Sequence, residues 1–525
     1  MILRRIIFLL MFLAICFYVY CEEDNDETSE IIPEDVIADD ILKNDKYGEE
    51  SIFIINSFNY NVTGRTLPFA LNNKTELKKG EEITGKTNFY KFIKDKRQLL
   101  INERVLNDNV KIEYVIGDIT EDGKYPVDLQ IYVEDTWNII ALPYPKYTSN
   151  YGFELTIKAR DYNFFGSMQP FRVDLGYKYD QEGRSYFSLM LDSGMPFQLF
   201  GLNWFFDFDN YFGYRPELTD PFYFKNRTAL SVDIPIKQTT LNLWFAESFI
   251  WNEENADSDK PSLGDVQEGL YMSSYPSISW KIPTGLEIGG YGELTYTPRL
   301  YAVINHEISS WTLSSNRKGP YLYFSHSLYF GRVDWMGNFR KGISVDISNS
   351  YSYDIYYMKN NWDPWGYSYS VTTKEYFIFI EDRLGLSNRL SFRHWIKSHY
   401  EYSGDVLRGV YDKAIDAEFI LALNLDLELR ALRIKPYDWF PNIKFMRVFE
   451  FDMHLNPVID CAFYKNPSRD VSFDSENFLL GAGFEIIIYP HRFRSLYFRI
   501  STCWDFSDIS KRTPMELFLG MEHHY

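Results

Sequence analysis

Residues Phe419 to Arg430 read FILALNLDLELR. In an extended chain Phe419, Leu421, Leu423, Leu425, Leu427 and Leu429 fall on one face, and Asn424, Asp426, Glu428 and Arg430 fall on the other. One face wants hydrocarbon and the other wants water. The same two-sided pattern returns at Phe171 to Asp180, Leu230 to Lys237, Ile343 to Tyr353, Leu496 to Thr502 and Leu517 to Tyr525. A soluble sandwich also alternates. Here the segments are many, they run roughly 9 to 12 residues, and Tyr, Trp and Phe crowd their ends, as at the interfacial girdles of a membrane barrel. The pattern therefore predicts a mainly β chain whose C-terminal part, 149–525, is a transmembrane antiparallel β-barrel. Strand-plus-connection units of roughly 20 to 25 residues give about 16 strands, and a count of plausible strands along the sequence gives 17.

Composition agrees with this. Of 525 residues 18% are aromatic, with 41 Tyr, 42 Phe and 12 Trp, yet 24% are charged. Beyond the N-terminus no apolar run reaches the roughly 18 residues that a helix needs to cross a bilayer, so a closed barrel is the remaining way to span one. The net charge of −19 argues against a nucleic-acid partner, whose phosphates call for Lys and Arg.

The N-terminus reads as an export signal over 1–21: Arg4 and Arg5, then an apolar stretch from Ile6 to Tyr20, then acidic sequence from Glu22. Cleavage after Cys21 is expected, with lipidation of Cys21 as the alternative. Residues 22–50 read as an acidic flexible linker. Cys461 and Cys503 are then the cysteines of the mature chain, too few for a disulfide scaffold. With no CxxC and no HExxH among 8 His, neither a metal nor another cofactor is expected. No GxSxG or P-loop occurs, so an enzyme is not expected.

Residues 51–148 read as a small α+β domain. Ser51 to Val62 suits a strand, Asn88 to Leu106 has helical spacing, and Val110 to Ile116 and Val127 to Val133 suit two more strands.

Three local features resemble the outer-membrane assembly-factor family, which includes BamA and TamA, of bacterial surface antigen type. Val127 to Trp137 (VDLQIYVEDTW) looks like the last strand of that family's periplasmic POTRA module. Ala159 to Gly166 (ARDYNFFG), with Asn163 and Gly166, is similar to its first barrel hairpin. Leu407, Arg408 and Gly409 resemble its arginine-glycine loop, followed by Leu427 to Arg430 (LELR) and Phe449 to Asp452 (FEFD). The resemblance implies one POTRA-like domain in the periplasm, a barrel in the bacterial outer membrane, and a loop folded into the lumen. It also implies that Arg408 meets Glu428 and Asp452. A guanidinium held away from bulk water needs carboxylate partners in any case.

The C-terminal segment places Leu519, Met521, His523 and Tyr525 on one face, as expected of a terminal assembly signal. The expected function is to help insert or translocate other outer-membrane proteins. Unfolded clients would be held by strand addition at the POTRA-like sheet edge and passed to a seam between first strand (Tyr151 to Ala159) and last strand (Met515 to Tyr525). Expected partners are outer-membrane lipid, those clients and periplasmic accessory proteins. A passive or solute-selective pore, and a surface-exposed structural or adhesive barrel, are the alternatives.

Overall fold

In the computed structural model the structure describes residues 39–148, 152–179, 184–217, 221–251, 270–307, 319–396, 406–410, 417–465, 477–507 and 515–520. The signal segment, most of the acidic linker, Met521, His523 and Tyr525 lie outside them.

The N-terminal unit is a four-stranded sheet packed on helices. Helix α1 (Asp39–Lys43) leads into β1 (Ile52–Thr63), then α2 (Pro68–Thr75), β2 (Glu82–Thr84), α3 (Lys86–Ile101), β3 (Lys111–Ile116) and β4 (Lys124–Glu134). The sheet order is β2-β1-β4-β3, with β1 and β4 parallel. Alternate residues of β1 and β4 turn inward, so Phe53, Ile55, Val127, Leu129 and Ile131 meet Phe89, Ile93 and Leu100 of α3 in one core. Phe53 stacks on Phe89 at 4.7 Å. Ile41 and Tyr47 are buried in that same core. The end of the stretch read as a flexible linker, from residue 39 onward, is therefore part of the folded domain, because its two large apolar side chains have a sheet to cover.

The second unit is a closed antiparallel barrel. Its first strands are β5 (Ile139–Thr148), β6 (Gly152–Asp161), β7 (Phe171–Tyr179), β8 (Ser185–Leu199), β9 (Leu202–Tyr214) and β10 (Phe222–Ile236). Next come β11 (Thr239–Trp251), β12 (Leu270–Glu287), β13 (Glu293–Glu307), β14 (Tyr321–Met336), β15 (Phe339–Asp354) and β16 (Trp365–Ile380). The wall is completed by β17 (Leu384–Ile396), β18 (Phe419–Ile434), β19 (Phe451–Lys465), β20 (Phe478–Pro490), β21 (Phe498–Asp505) and β22 (Met515–Gly520). Strand β5 lies beside β22, so the described residues form eighteen strands, more than the expected sixteen.

One of the added strands is β5. By sequence its ten residues fall within the 51–148 domain, yet each pairs with β6 from Ile139↔Asp161 to Thr148↔Gly152. The barrel thus begins just after Asn138, and its first strand is Ile139–Thr148 rather than Tyr151 to Ala159. Pro143 and Pro145 conceal this strand, because proline reads as a linker residue and removes ladder donors.

The deciding segment behaves as its alternation requires. Along β18 the even residues from Ile420 to Arg430 are buried toward the lumen and the odd ones face outward. Outward side chains such as Leu155, Leu175, Leu243, Ile278, Ile347 and Phe463 form an apolar surface too extensive for water. Such a surface on a closed barrel is a membrane-spanning one.

At one end the strands are joined by tight turns, among them Phe200–Gly201 and Gly337–Asn338, whose positive φ at Phe200, Gly201 and Gly337 suits two-residue hairpins. The α+β domain docks against this end.

Candidate functional site

Two linked structures occupy the lumen. The first is the 406–410 loop segment. Val406, Leu407, Arg408 and Val410 are all buried inside the barrel. Leu407 and Val410 pack on Ile420, Ala422, Ala462 and Leu479, a small apolar seat within an otherwise polar wall. Asn424 Nδ2 donates to the carbonyl of Val406 at 2.8 Å. Gly409 sits at φ +83° with its Cα facing the backbone of Trp504, where a Cβ would lie only 3.0 Å away. A Cβ at Gly481 would overlap the carbonyl oxygen of Arg408. Both positions need glycine for the loop to lie flat on the wall.

The Arg408 guanidinium is gripped from three strands. Its Nη2 donates to Asp426 Oδ1 on β18 at 2.5 Å and to Asp460 Oδ1 on β19 at 2.7 Å. Its Nε donates to Asp460 Oδ2 at 3.0 Å, and its backbone N–H reaches the same oxygen at 2.7 Å. Nη1 lies 3.2 Å from Glu485 Oε1 on β20, an oxygen that also accepts from Arg499. Two guanidiniums thus face three carboxylates, and the planar fork of Arg408 is the group that joins all of them.

The resemblance placed Arg408 against Glu428 and Asp452. The structure brings Arg408 and Gly409 to the lumen wall but gives them other partners. Glu428 lies two residues further along β18, where it accepts from Ser387 and lies 3.5 Å from Arg340. Asp452 accepts from Arg433 Nε at 2.8 Å, His491 Nε2 at 3.1 Å and Asn338 Nδ2 at 3.0 Å. The physical reason is depth. Every second residue of β18 and β19 faces the lumen, so alternation picks the face but not how far down it the loop reaches.

Glu428 and Asp452 belong to the second structure, a plug at the end where the α+β domain sits. The β14–β15 turn is bound from both sides. Toward the lumen, Asn338 reaches Asp452, Phe339 stacks on His454 at 4.7 Å, and Arg340 donates to the Tyr376 hydroxyl at 3.1 Å. Toward the domain, Asn102 donates to Asp334 Oδ1 and accepts from Trp335 N–H, both at 2.9 Å, while Gln98 donates to Trp335 O at 3.0 Å. Arg332 forms an ion pair with Asp95. Arg104 lies 4.4 Å over the Trp335 ring and donates to the carbonyls of Arg494 and Gly337 and to Asn338 Oδ1. Burial, with Arg494 close by, pushes the Arg104 guanidinium down to about 10, the mark of a cation held by neutral acceptors. Nothing in the sequence around Arg104 announces this role, because its partners are backbone oxygens more than 200 residues away in the chain.

The first hairpin supplies the other half of the junction. Asn163 is fully buried; its Nδ2 donates to Thr66 Oγ1 at 2.7 Å and Asp135 Oδ2 at 3.1 Å, and its Oδ1 accepts from Met168 N–H at 2.9 Å. Asp135 also accepts from the backbone N–H groups of Arg65 and Thr66. Arg65 grips Asp161 with two hydrogen bonds of 3.0 and 2.7 Å. Gly166, at φ +73°, accepts at its carbonyl from Leu67 N–H, and a Cβ there would overlap the Arg65 carbonyl oxygen. Asn163 and Gly166, read as hairpin residues, therefore serve as the joint between domain and barrel. We expect Gly166→Ala to loosen this joint by about 1–3 kcal/mol, through left-handed strain plus the clash. Limited proteolysis should then cut near Asn138 at lower protease concentration than in wild type, while the barrel keeps its heat-modified mobility on a gel.

The last strand β22 pairs with β21 from Arg499↔Gly520 to Trp504↔Met515, and Leu519 opposes Ile500.

No family model matches the sequence, and no curated protein is similar to it. Among solved structures the chain is similar to CdiB from Escherichia coli, at 11% identity over 90% of this chain and 76% of that one, with a TM-score of 0.49. It is similar to CdiB from Acinetobacter baumannii, at 12% identity over 89% and 73%, with a TM-score of 0.43. A BamA from Haemophilus ducreyi lacking POTRA domains 1–3 is similar at 10% identity over 89% and 84%, with a TM-score of 0.39.

Proposed function

We propose that this chain is an outer-membrane barrel that helps to insert or translocate other outer-membrane proteins, with its α+β domain, read as a POTRA module, in the periplasm. The observation that carries the reading is the joining of three features in one chain: a loop clamped inside the lumen, a soluble sheet docked under the barrel, and a first strand that carries two prolines beside the last.

The seam favours lateral release. The described part of β22 is Met515–Gly520, and β5 beside it carries Pro143 and Pro145. A proline in a paired strand sits where its missing N–H faces the less demanding edge. Pro143 and Pro145 offer no N–H to the ladders that β5 makes with its two neighbours, β6 and β22. A strand with fewer donors opens at smaller cost, and an edge freed in this way can pair with an incoming strand.

The soluble sheet offers a second edge. Strand β2 and the turn before it cover β1 at Ile52–Ile55; among the described residues no strand pairs with β1 beyond Ile55 on that side, an edge that could bind an extended client through main-chain hydrogen bonds. The domain is also bound to the plug through Asn102 and Arg104, so client capture and lumen opening can be linked through one set of contacts. A plain solute pore needs no such plug.

Depletion of the protein in cells tests the proposal. Folded outer-membrane proteins should fall in the membrane fraction while their unfolded forms rise in the periplasm; an unchanged profile would overturn it. Conductance that survives removal of the soluble domain, with no effect on other barrels, would favour the pore.

A further inference from the structure

One periplasmic connection departs from the rest. Where β8–β9 and β14–β15 are joined by two-residue turns, residues 435–450 join β18 to β19 through helix α4 (Pro436–Trp439) and the 3-10 turn Lys444–Phe449. This segment displays Trp439 at 66%, Phe440 at 52%, Phe449 at 51% and Ile443 at 46% exposure. Four large apolar side chains within eleven residues is a poor surface to show to water.

Their position says what covers them. Leu432 at the foot of β18 is exposed on the outward side, and its partner across the ladder is Met453 of β19. The apolar connection follows directly on this outward apolar pair at the strand ends. Its composition is that of an interfacial belt, where Trp and Phe lie at headgroup depth with basic residues beside them. Arg447 is exposed and stacks 4.1 Å over the Tyr437 ring, which holds a cation at the rim of the patch. The segment is internally braced: Phe440 N–H donates to Pro436 O and Met446 N–H to Ile443 O. At its far end Glu450 accepts from His491 N–H, next to the Asp452 plug contacts.

We propose that residues 435–450 form an interfacial anchor that lies on the periplasmic leaflet, with Trp439, Phe440, Ile443 and Phe449 set among phospholipid headgroups and upper acyl chains. The anchor fixes the β18–β19 hairpin, which carries Asp426, Asp460 and Asp452, at a constant depth in the bilayer.

The test uses the full chain in phospholipid vesicles containing lipids brominated either near the headgroup or near the chain end. Emission of wild type minus that of Trp439→Phe isolates Trp439 among the tryptophans, and gel mobility confirms that both fold. The anchor predicts that bromine near the headgroup at least halves the difference signal, that chain-end bromine acts less, and that aqueous iodide has little effect. Quenching by iodide but not by brominated lipid would place Trp439 in water and overturn the proposal. Protection from both quenchers would mean that protein, a second copy or a partner, covers the patch, and would overturn it equally.

Discussion

Replacing Arg408 with alanine is expected to destabilise the closed barrel by about 3–5 kcal/mol, because it leaves buried carboxylates without their cation. Asp460 is almost fully buried and Asp426 and Glu485 nearly so, and Arg499 alone cannot serve all three from the side of Glu485. The loop would leave the wall, exposing Ile420, Ala422 and Ala462 to the lumen. Heat-modifiability on a gel reads this directly: the folded band should convert to the unfolded one at a clearly lower temperature. Arg408→Lys should recover only part of the loss, since an ammonium cannot hold Asp460 with two donors while also reaching Asp426 and Glu485. A double change that also neutralises Asp460, Arg408→Ala with Asp460→Asn, should be less damaging than the sum of the singles. Wild-type behaviour of Arg408→Ala would mean that the clamp bears no stability.

Replacing Arg104 with alanine is expected to act at the opposite mouth. It removes two hydrogen bonds and a ring contact from the turn that fills the plug and a third hydrogen bond from Arg494 between β20 and β21, leaving the carbonyls of Arg494 and Gly337 without this donor. A loss of about 1–3 kcal/mol per stranded buried group follows. Because the missing contacts tie the domain to the turn, the effect should show as opening more than as unfolding. In planar bilayers the variant should conduct more current and more often than wild type, with the heat-modified band unchanged. Arg104→Lys, which keeps a charge without the fork, should fall between. Conductance equal to wild type would separate the domain from control of the lumen.

The two-sided barrel was readable because alternation with a period of two survives any error in strand ends: Leu421 to Leu429 face outward in the structure as their spacing requires. Strand β5 was not readable, since Pro143 and Pro145 carry the signature of a connection. The resemblance to the arginine-glycine loop puts Arg408 in the lumen and the cost of a lone buried cation calls for carboxylates beside it, but neither picks out which carboxylates. Asp426 and Glu428 share a face, and only the depth of the loop chooses between them. A bulge between Arg430 and Leu432 adds to the difficulty by shifting the pairing near Asp452, which then meets Arg433. The joint at Asn163 and Asp135 rests on residues distant in sequence, and no local period reveals it.

If the barrel helps to insert other outer-membrane proteins, as proposed, it should speed their folding into a bilayer. The most direct measurement places the purified chain in phospholipid vesicles, adds a urea-unfolded outer-membrane β-barrel protein, and follows the appearance of its heat-modified folded band with time. The account predicts folding several times faster than in protein-free vesicles, and slower again with Arg408→Ala; a rate equal to that in protein-free vesicles would contradict it.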